Sequence, residues 1–385
     1  MAKIKSTKTH LFSALVLSGG GARAAYQVGV LKAIADIMPE STHNPFGIIS
    51  GTSAGAINAT ALAANADNFR NAVYAIEHVW KSFQPEQVYR TDPVGVFGCA
   101  GRWLTSLVFA SRNRAVSMLD NAPLGDLLGD MVRFSNIREV IDAGYLRAVS
   151  VTASGYNSGH SVAFFQGSPD ISAWKRFQRV GLRADIKLEH LLASSAIPAV
   201  FPAVRINREY FGDGAMRQLA PISPALHLGA RKVLVVGVSG NRSAPQVRKP
   251  MEGYPSLAQI SGHLLNSVFL DSLEYDIERL QRVNKTLELV PESVRAKTGS
   301  NLRPVGSLVI SPTQSVDQIA SKYLHVLPVT IRMFLHGIGA TRSSGSSILS
   351  YLLFHRGFCS ELIALGYHDA MAKAEEIAAF MDQDD

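Results

Sequence analysis

Gly51-Thr52-Ser53-Ala54-Gly55 sets a serine between two glycines where an apolar strand pattern (residues 47–50) runs straight into a small-residue helical one (residues 54–64). With no loop between them, the turn must be sharp and neighbouring backbone must come close, so a side chain at position 51 or 55 would clash. Such an elbow lifts a serine hydroxyl clear of a sheet. The helix that follows adds peptide N–H groups and the positive end of its dipole beside that hydroxyl. A Gly/Ser-rich turn without chemistry is the bland alternative, and the strand-to-helix context weighs against it.

The surroundings fit a sheet. Residues 11–17 read as a buried strand ending at Ser18-Gly19-Gly20-Gly21, and residues 26–38 show helical spacing, with Val30, Ile34 and Ile37 on one face and Pro39 as the stop. Residues 68–83 form another helix, closed by Pro85. Strand, helix, strand, helix in succession predicts right-handed βαβ units around a parallel sheet. Further strands are expected at residues 146–153, 161–165 and 232–238, and the polar stretch 241–254 marks a boundary. Beyond it come one or two long helices over residues 257–289, a short strand at 307–310 and a helical end with an acidic tail. The organisation expected is an α/β domain over residues 11–240 and a mainly helical region over 241–385.

Composition narrows the function classes. With 47% apolar and 18% charged residues, disordered, collagen-like and coiled-coil chains are excluded. The net charge of +7 comes without a Lys/Arg run or an aromatic-interleaved basic stripe, so it reads as a solvated surface and no nucleic-acid partner is expected. Cys99 and Cys359 make no CxxC or zinc pattern, which points to reduced thiols in a cytoplasmic compartment; no metal or cofactor is expected. The amino terminus mimics a secretion signal, with Lys3, Lys5 and Lys8 before residues 11–17 and Ala22-Arg23-Ala24 after them. Its apolar core is at the lower limit of length and broken by Ser13, and cleavage would discard the glycine run, so the mimicry is discounted. The longest apolar stretch, residues 94–110, contains Arg102 and falls short of a membrane span.

Gly19-Gly20-Gly21 follows the first strand, and consecutive glycines let backbone N–H groups turn toward an anion, an arrangement suited to an oxyanion hole. Gly20 is expected to need a positive φ, so a β-branched residue there should be harmful. The same letters fit a dinucleotide fingerprint through Gly19, Gly21 and Ala24, but the second strand ends in Ser50-Gly51-Thr52-Ser53, without the acid a ribose requires. Asp213, in Phe211-Gly212-Asp213-Gly214-Ala215, lies in a turn from which a carboxylate can reach a cleft. Residues 193–202 are apolar, Pro-interrupted and without an obvious catalytic group, so they read as wall or core.

Taken together and in this order, the glycine loop 19–23, the elbow 51–55, the block 193–202 and Asp213-Gly214-Ala215 resemble the motifs of the patatin-like phospholipase family. Ser18 stands where that family often has Asp, and Ala24 where Gly is common. The resemblance implies a three-layer α/β sandwich around a mainly parallel sheet, with the helical C-terminal extension added to it. It also implies hydrolysis of a phospholipid or other acyl-lipid substrate by a Ser-Asp dyad. By position, Ser53 would be the nucleophile, within an elbow formed by Gly51, Thr52, Ala54 and Gly55. Asp213 would be the base, and Gly19, Gly20, Gly21 and Arg23 the oxyanion region. Burial would raise the Asp213 pKa and a nearby Arg23 would lower it.

Three readings stand open: a hydrolase, a transacylase using the same serine, and a non-enzymatic membrane or nucleotide-dependent regulatory module. A triad would need one of His227, His263, His325, His336, His355 or His368, none of which sits in a Gly-flanked turn after a clear strand. The segment from Val94 to Arg114 carries Phe97, Trp103, Leu104, Leu107 and Val108 with Arg102, Arg112 and Arg114 and no acid. It is expected either to cap the acyl pocket and touch anionic lipid as a peripheral contact, or to cover the core as a buried helix.

Overall fold

The computed structural model describes residues 12–39, 43–92, 117–239, 272–297, 302–330 and 346–382, with single positions between them. The segment from Val94 to Arg114, but for Gly98 and Gly101, lies outside the described residues, as do the acidic residues Asp384 and Asp385.

Short aliphatic runs make the inner strands β1 (Ser13–Leu17), β2 (Ile48–Thr52) and β3 (Ala148–Gly155). They are followed by β4 (Ser161–Gly167), β5 (Trp174–Arg176), β6 (Arg179–Arg183), β7 (Val204–Ile206), β8 (Glu209–Asp213), β9 (Lys232–Val236) and β10 (Gly306–Ile310). Their order is β10-β9-β1-β2-β3-β4-β6-β5, and the run from β10 to β3 is parallel throughout. Past β3 the sheet is mixed: β4 runs antiparallel to β3, because a tight turn rather than a crossover helix joins them, β6 runs parallel to β4, and β5 antiparallel to β6; β8 also runs against β3, at the end where Ser154 and Gly155 lie.

Alternation sorts the strand side chains into two cores. Leu15 and Leu17 face one and Ala14 and Val16 the other, the signature of a parallel sheet buried on both faces. The Leu15 side is covered by α1 (Ala25–Ile37), α2 (Ala54–Ala63), α3 (Phe69–Ser82), α4 (Ala122–Met131) and α5 (Asn136–Asp142). A helix of one and a half to two turns, α6 (Leu188–Ser194), packs on β3 at this same face. The Val16 side is covered by α7 (Ser223–His227) and α8 (Ser272–Glu288), which makes the third layer.

The stretch beyond residue 240 is built into this same core. It supplies β10, hydrogen-bonded to β9, and helices α9 (Glu292–Lys297), α10 (Val316–Ser321), α11 (Ser346–Leu352), α12 (Arg356–Met371) and α13 (Ala374–Asp382). Helix α12 crosses α1 at backbone contact: a Cβ on Gly29 would meet the Ile363 carbonyl, and one on Gly366 the Tyr26 carbonyl. Cys359 faces inward on α12, where burial pushes its thiol up to about 12, so it is inert packing.

A second tie runs through a buried cation. Arg23 donates from Nη2 to Asp317 Oδ1 at 2.7 Å and from Nε to Ser350 Oγ at 2.9 Å, while its guanidinium lies 4.2 Å from the Tyr351 ring centroid. Removing the carboxylate would leave a buried cation short of its counter-charge. Asp317→Ala is expected to destabilise the chain by on the order of 2 kcal/mol, the usual buried-pair figure reduced because Asp317 is partly exposed. A urea titration reads this directly, and an unchanged midpoint would refute it.

Candidate active site

Between the end of β2 at Thr52 and the start of α2 at Ala54, Ser53 makes the whole turn, with φ 55° and ψ −132°. A non-glycine residue held there stores roughly 1–3 kcal/mol of strain. The neighbours enforce it. A Cβ on Gly55 would run into the Leu17 carbonyl and stand 2.5 Å from the Ser18 oxygen, and one on Gly51 would lie 2.5 Å from Ala56 Cα. The steric reason expected for both elbow glycines is therefore met.

Ser53 Oγ donates to Asp213 Oδ2 at 2.6 Å. Asp213 ends β8, which brings it beside Ala153 of β3, at the same edge of the sheet as the elbow. Its other oxygen accepts from the Ala215 N–H at 2.9 Å, and its own N–H donates to the Ala196 carbonyl. The carboxyl is wholly buried. Burial pushes its pKa up to about 7, against the pull of the Ser53 and Ala215 hydrogen bonds.

A carboxyl of this kind has a definite pH signature. Relative to an unfolded Asp at about 3.9, the folded chain holds the Asp213 proton more tightly. Its contribution to stability is thus full below about pH 4 and is lost as pH rises toward about 7. Over the same window ionisation would make Asp213 able to accept a proton from Ser53. Turnover of a soluble ester is expected to fall about tenfold per unit below pH 7, and a flat profile from about pH 5 to 8 would contradict this assignment.

Side chains that the sequence pattern left as wall hold the pair in place. Ser194 Oγ accepts from the Ser53 N–H at 2.8 Å and donates to the Thr152 carbonyl at 2.6 Å, so the block containing it is a brace as well as a wall. Gln218 links Thr52 Oγ1, at 2.6 Å, to Thr152 Oγ1, at 3.1 Å, and anchors the chain just after the Asp213 turn. Ser194→Ala would leave the Ser53 N–H buried and unpaired. A stability loss of about 1–3 kcal/mol with a lower kcat is expected, read by thermal melting and ester kinetics.

The glycine loop is fixed from below by a buried polar chain. Trp80 Nε1 donates to Asn58 Oδ1, Asn58 Nδ2 to Gln27 Oε1, and Gln27 Nε2 to the Ser18 carbonyl at 2.8 Å. In this loop Gly21 has φ 56° and Gly20 is extended at φ 164°. The positive φ expected at Gly20 thus belongs to Gly21; at Gly20 the constraint is crowding, since a Cβ would strike Val238 Cγ2. The Arg23 guanidinium is held by Asp317 and Ser350, and what acts on the Asp213 carboxyl is burial, opposed by the Ser53 and Ala215 hydrogen bonds.

Beside Ser53 and Gly21 lies an apolar slot walled by Ile57, Trp80, Leu124, Leu128, Phe201 and Phe354. Its free volume is about 30 Å³, room for a water molecule or two. Of the candidate histidines, His227 stacks on Trp174 and His355 accepts from the Gly357 N–H to cap α12. Among the described residues no histidine lines the slot, no group of three His, Cys, Asp or Glu is placed to hold a metal ion, and no helix is long and apolar enough to cross a membrane.

The patatin-like phospholipase family model matches residues 15–226, more than half of the chain, and this span contains the glycine loop, Ser53, Ser194, Asp213 and Gln218. The chain belongs to the patatin-like phospholipase family. Among relatives, it is 27% identical over 223 residues to a cGAMP-activated phospholipase of Pseudomonas aeruginosa, a match spanning 56% of this chain and 56% of that protein. The chain thus spans little more than half the length of that relative. Two solved structures are also similar. VipD from Legionella pneumophila has a TM-score of 0.34 at 12% identity, over 95% of this chain and 67% of that one. The type III effector ExoU has a TM-score of 0.28 at 16% identity, over 88% of this chain and 76% of that one.

Proposed function

We propose that this chain hydrolyses acyl-lipid esters, as a phospholipase A or lysophospholipase, through an acyl-serine intermediate on a Ser-Asp dyad. The observation that carries this reading is the 2.6 Å bond from Ser53 Oγ to a buried carboxylate poised near neutrality, beside an apolar slot. Ser53 Oγ attacks the ester carbonyl carbon as its proton passes to Asp213 Oδ2. Charge on the carbonyl oxygen is met by N–H groups of Gly19, Gly20 and Gly21. Collapse breaks the ester C–O bond, and the departing alcohol takes the proton from Asp213. Water then attacks the acyl-Ser53 carbonyl, gives its proton to Asp213, and Ser53 Oγ recovers it as the fatty acid leaves.

A fluorophosphonate probe should label Ser53 in the parent and fail to label Ser53→Ala, while a phospholipid with a labelled acyl chain reports free fatty acid. Hydrolysis retained by Ser53→Ala would sink the proposal. Acyl transfer to added alcohol in preference to water would favour the transacylase reading.

One observation supports an effector-gated form of this activity. A slot of about 30 Å³ does not admit an acyl chain without movement of the α4 face, and the Pseudomonas relative is named for activation by cGAMP. Turnover that rises on addition of cGAMP would support gating of the same kind, and turnover indifferent to it would remove that reading.

A further inference from the structure

Three turns meet at the edge of the sheet where Asp213 and Ser53 lie. The β3–β4 turn follows Gly155. Ser161, which pairs with Ser154, also pairs with Arg179, so the tip of the β5–β6 hairpin stands beside that turn. The β7–β8 hairpin projects past the same edge, since Phe211 pairs with Gly155 and Glu209 lies beyond it. From Thr152, level with the end of β2, to Gly155 is about 10 Å at roughly 3.3 Å per residue, and β6 lies three strands across from β2, about 14 Å at roughly 4.8 Å per strand, so the rim shares the nucleophile's end of the sheet.

The rim combines exposed apolar groups with cations. Phe177, at the β5–β6 tip, is 85% exposed, and Leu219, just past the Asp213 turn, is 73% exposed; Tyr156 and Tyr210 are exposed between them. Around them stand Lys175, Arg176, Arg205, Arg208 and Arg217, all exposed, with Arg179 half-buried. Two acids stand among these cations: Glu209 accepts the Asn157 and Ser158 N–H groups and so ties two of the turns together, and Asp276 accepts the Ile222 N–H and faces Arg179 and Arg279; the cations on the rim still outnumber them. A single exposed aromatic is ordinary on a protein surface. Several on one rim, interleaved with cations on turns short enough to lie flat, have the chemistry of a lipid headgroup layer: rings at the acyl boundary and guanidinium groups on phosphates.

We propose that this three-turn rim is a membrane-docking surface that seats the chain on an anionic phospholipid bilayer, with Phe177 inserted. Its purpose rests on the acyl-lipid reading, since it would present the dyad to lipid entering from the leaflet. Its existence does not, and the test separates the two.

Binding is measured by co-sedimentation in the Ser53→Ala background, so that no hydrolysis intervenes, on phosphatidylcholine vesicles with and without phosphatidylglycerol. Lys175→Gln, Arg176→Gln and Arg208→Gln together should lower partitioning onto the anionic vesicles about 100-fold, at roughly fivefold per cation. Phe177→Ser should lower it several-fold by itself, and added salt should weaken the parent but hardly the triple variant. With Ser53 restored, the triple variant should keep parental turnover on a short soluble ester and parental thermal stability. Unchanged vesicle binding by the triple variant would overturn the proposal. So would loss confined to Arg102, Arg112 and Arg114→Gln variants, which would move the contact to the segment from Val94 to Arg114. Normal docking without any ester turnover would leave the rim standing and defeat the hydrolase reading instead.

Discussion

Asp213→Asn is expected to lower ester hydrolysis by at least about 10³-fold and Ser53→Ala by more, in line with removal of a base or a nucleophile from a coupled pair. The two variants should part company in stability. Ionised Asp213 is a buried carboxylate without a cationic partner in its hydrogen-bond set, so replacing it with a neutral amide removes a standing penalty at high pH. Asp213→Asn is therefore expected to melt higher than the parent at about pH 8, with the gap closing toward about pH 4. Equal melting of the two proteins across that range, or activity retained by Asp213→Asn, would mean that the pair does not work as described.

Gly21→Val should be comparably damaging to turnover by a different route. The position combines a left-handed φ of 56° with a Cβ that would enter the Tyr351 carbonyl, so both the backbone and the partner would have to move. The loop carries the proposed oxyanion donors, and loss of one such donor typically lowers kcat by about 10²–10³. The expected result is that fall in kcat with KM little changed, together with slower labelling by a fluorophosphonate. A variant with parental kcat would place the oxyanion donors elsewhere.

Local signals carried much of this in the sequence. The elbow, β1, β2, α1 and α3 are legible because strand period, helix period and a turn residue sit side by side in the chain. Ser194 and Gln218 are not legible, because their work is done on residues 42, 66, 141 and 166 positions away, and a serine in an apolar block has the same letters whether it braces or merely fills. Helix α4 escaped for a local reason: Pro123, Gly125 and Gly129 dilute its propensity, and its apolar face is set by the slot it covers. The strand at residues 307–310 was readable as a strand, but its place beside β9 was not, since parallel pairing is fixed by contacts remote in sequence. The partners of Arg23 are illegible for the same reason: Asp317 and Ser350 lie 294 and 327 positions away.

Those partners bear on what happens when the chain is damaged. A protease cut near residue 240 would take away β10, α12 and the Asp317–Ser350 clasp together, leaving β9 as a bare sheet edge and Arg23 buried without its anion. The remaining piece would keep Ser53 and Asp213 in its sequence but lose what steadies the loop facing them, and an open edge would drive it toward self-association. On the proposed activity, degradation should then yield an inert remnant rather than an unrestrained fragment, because the hydrogen bonds of one arginine make the dyad's half of the chain depend on the other half.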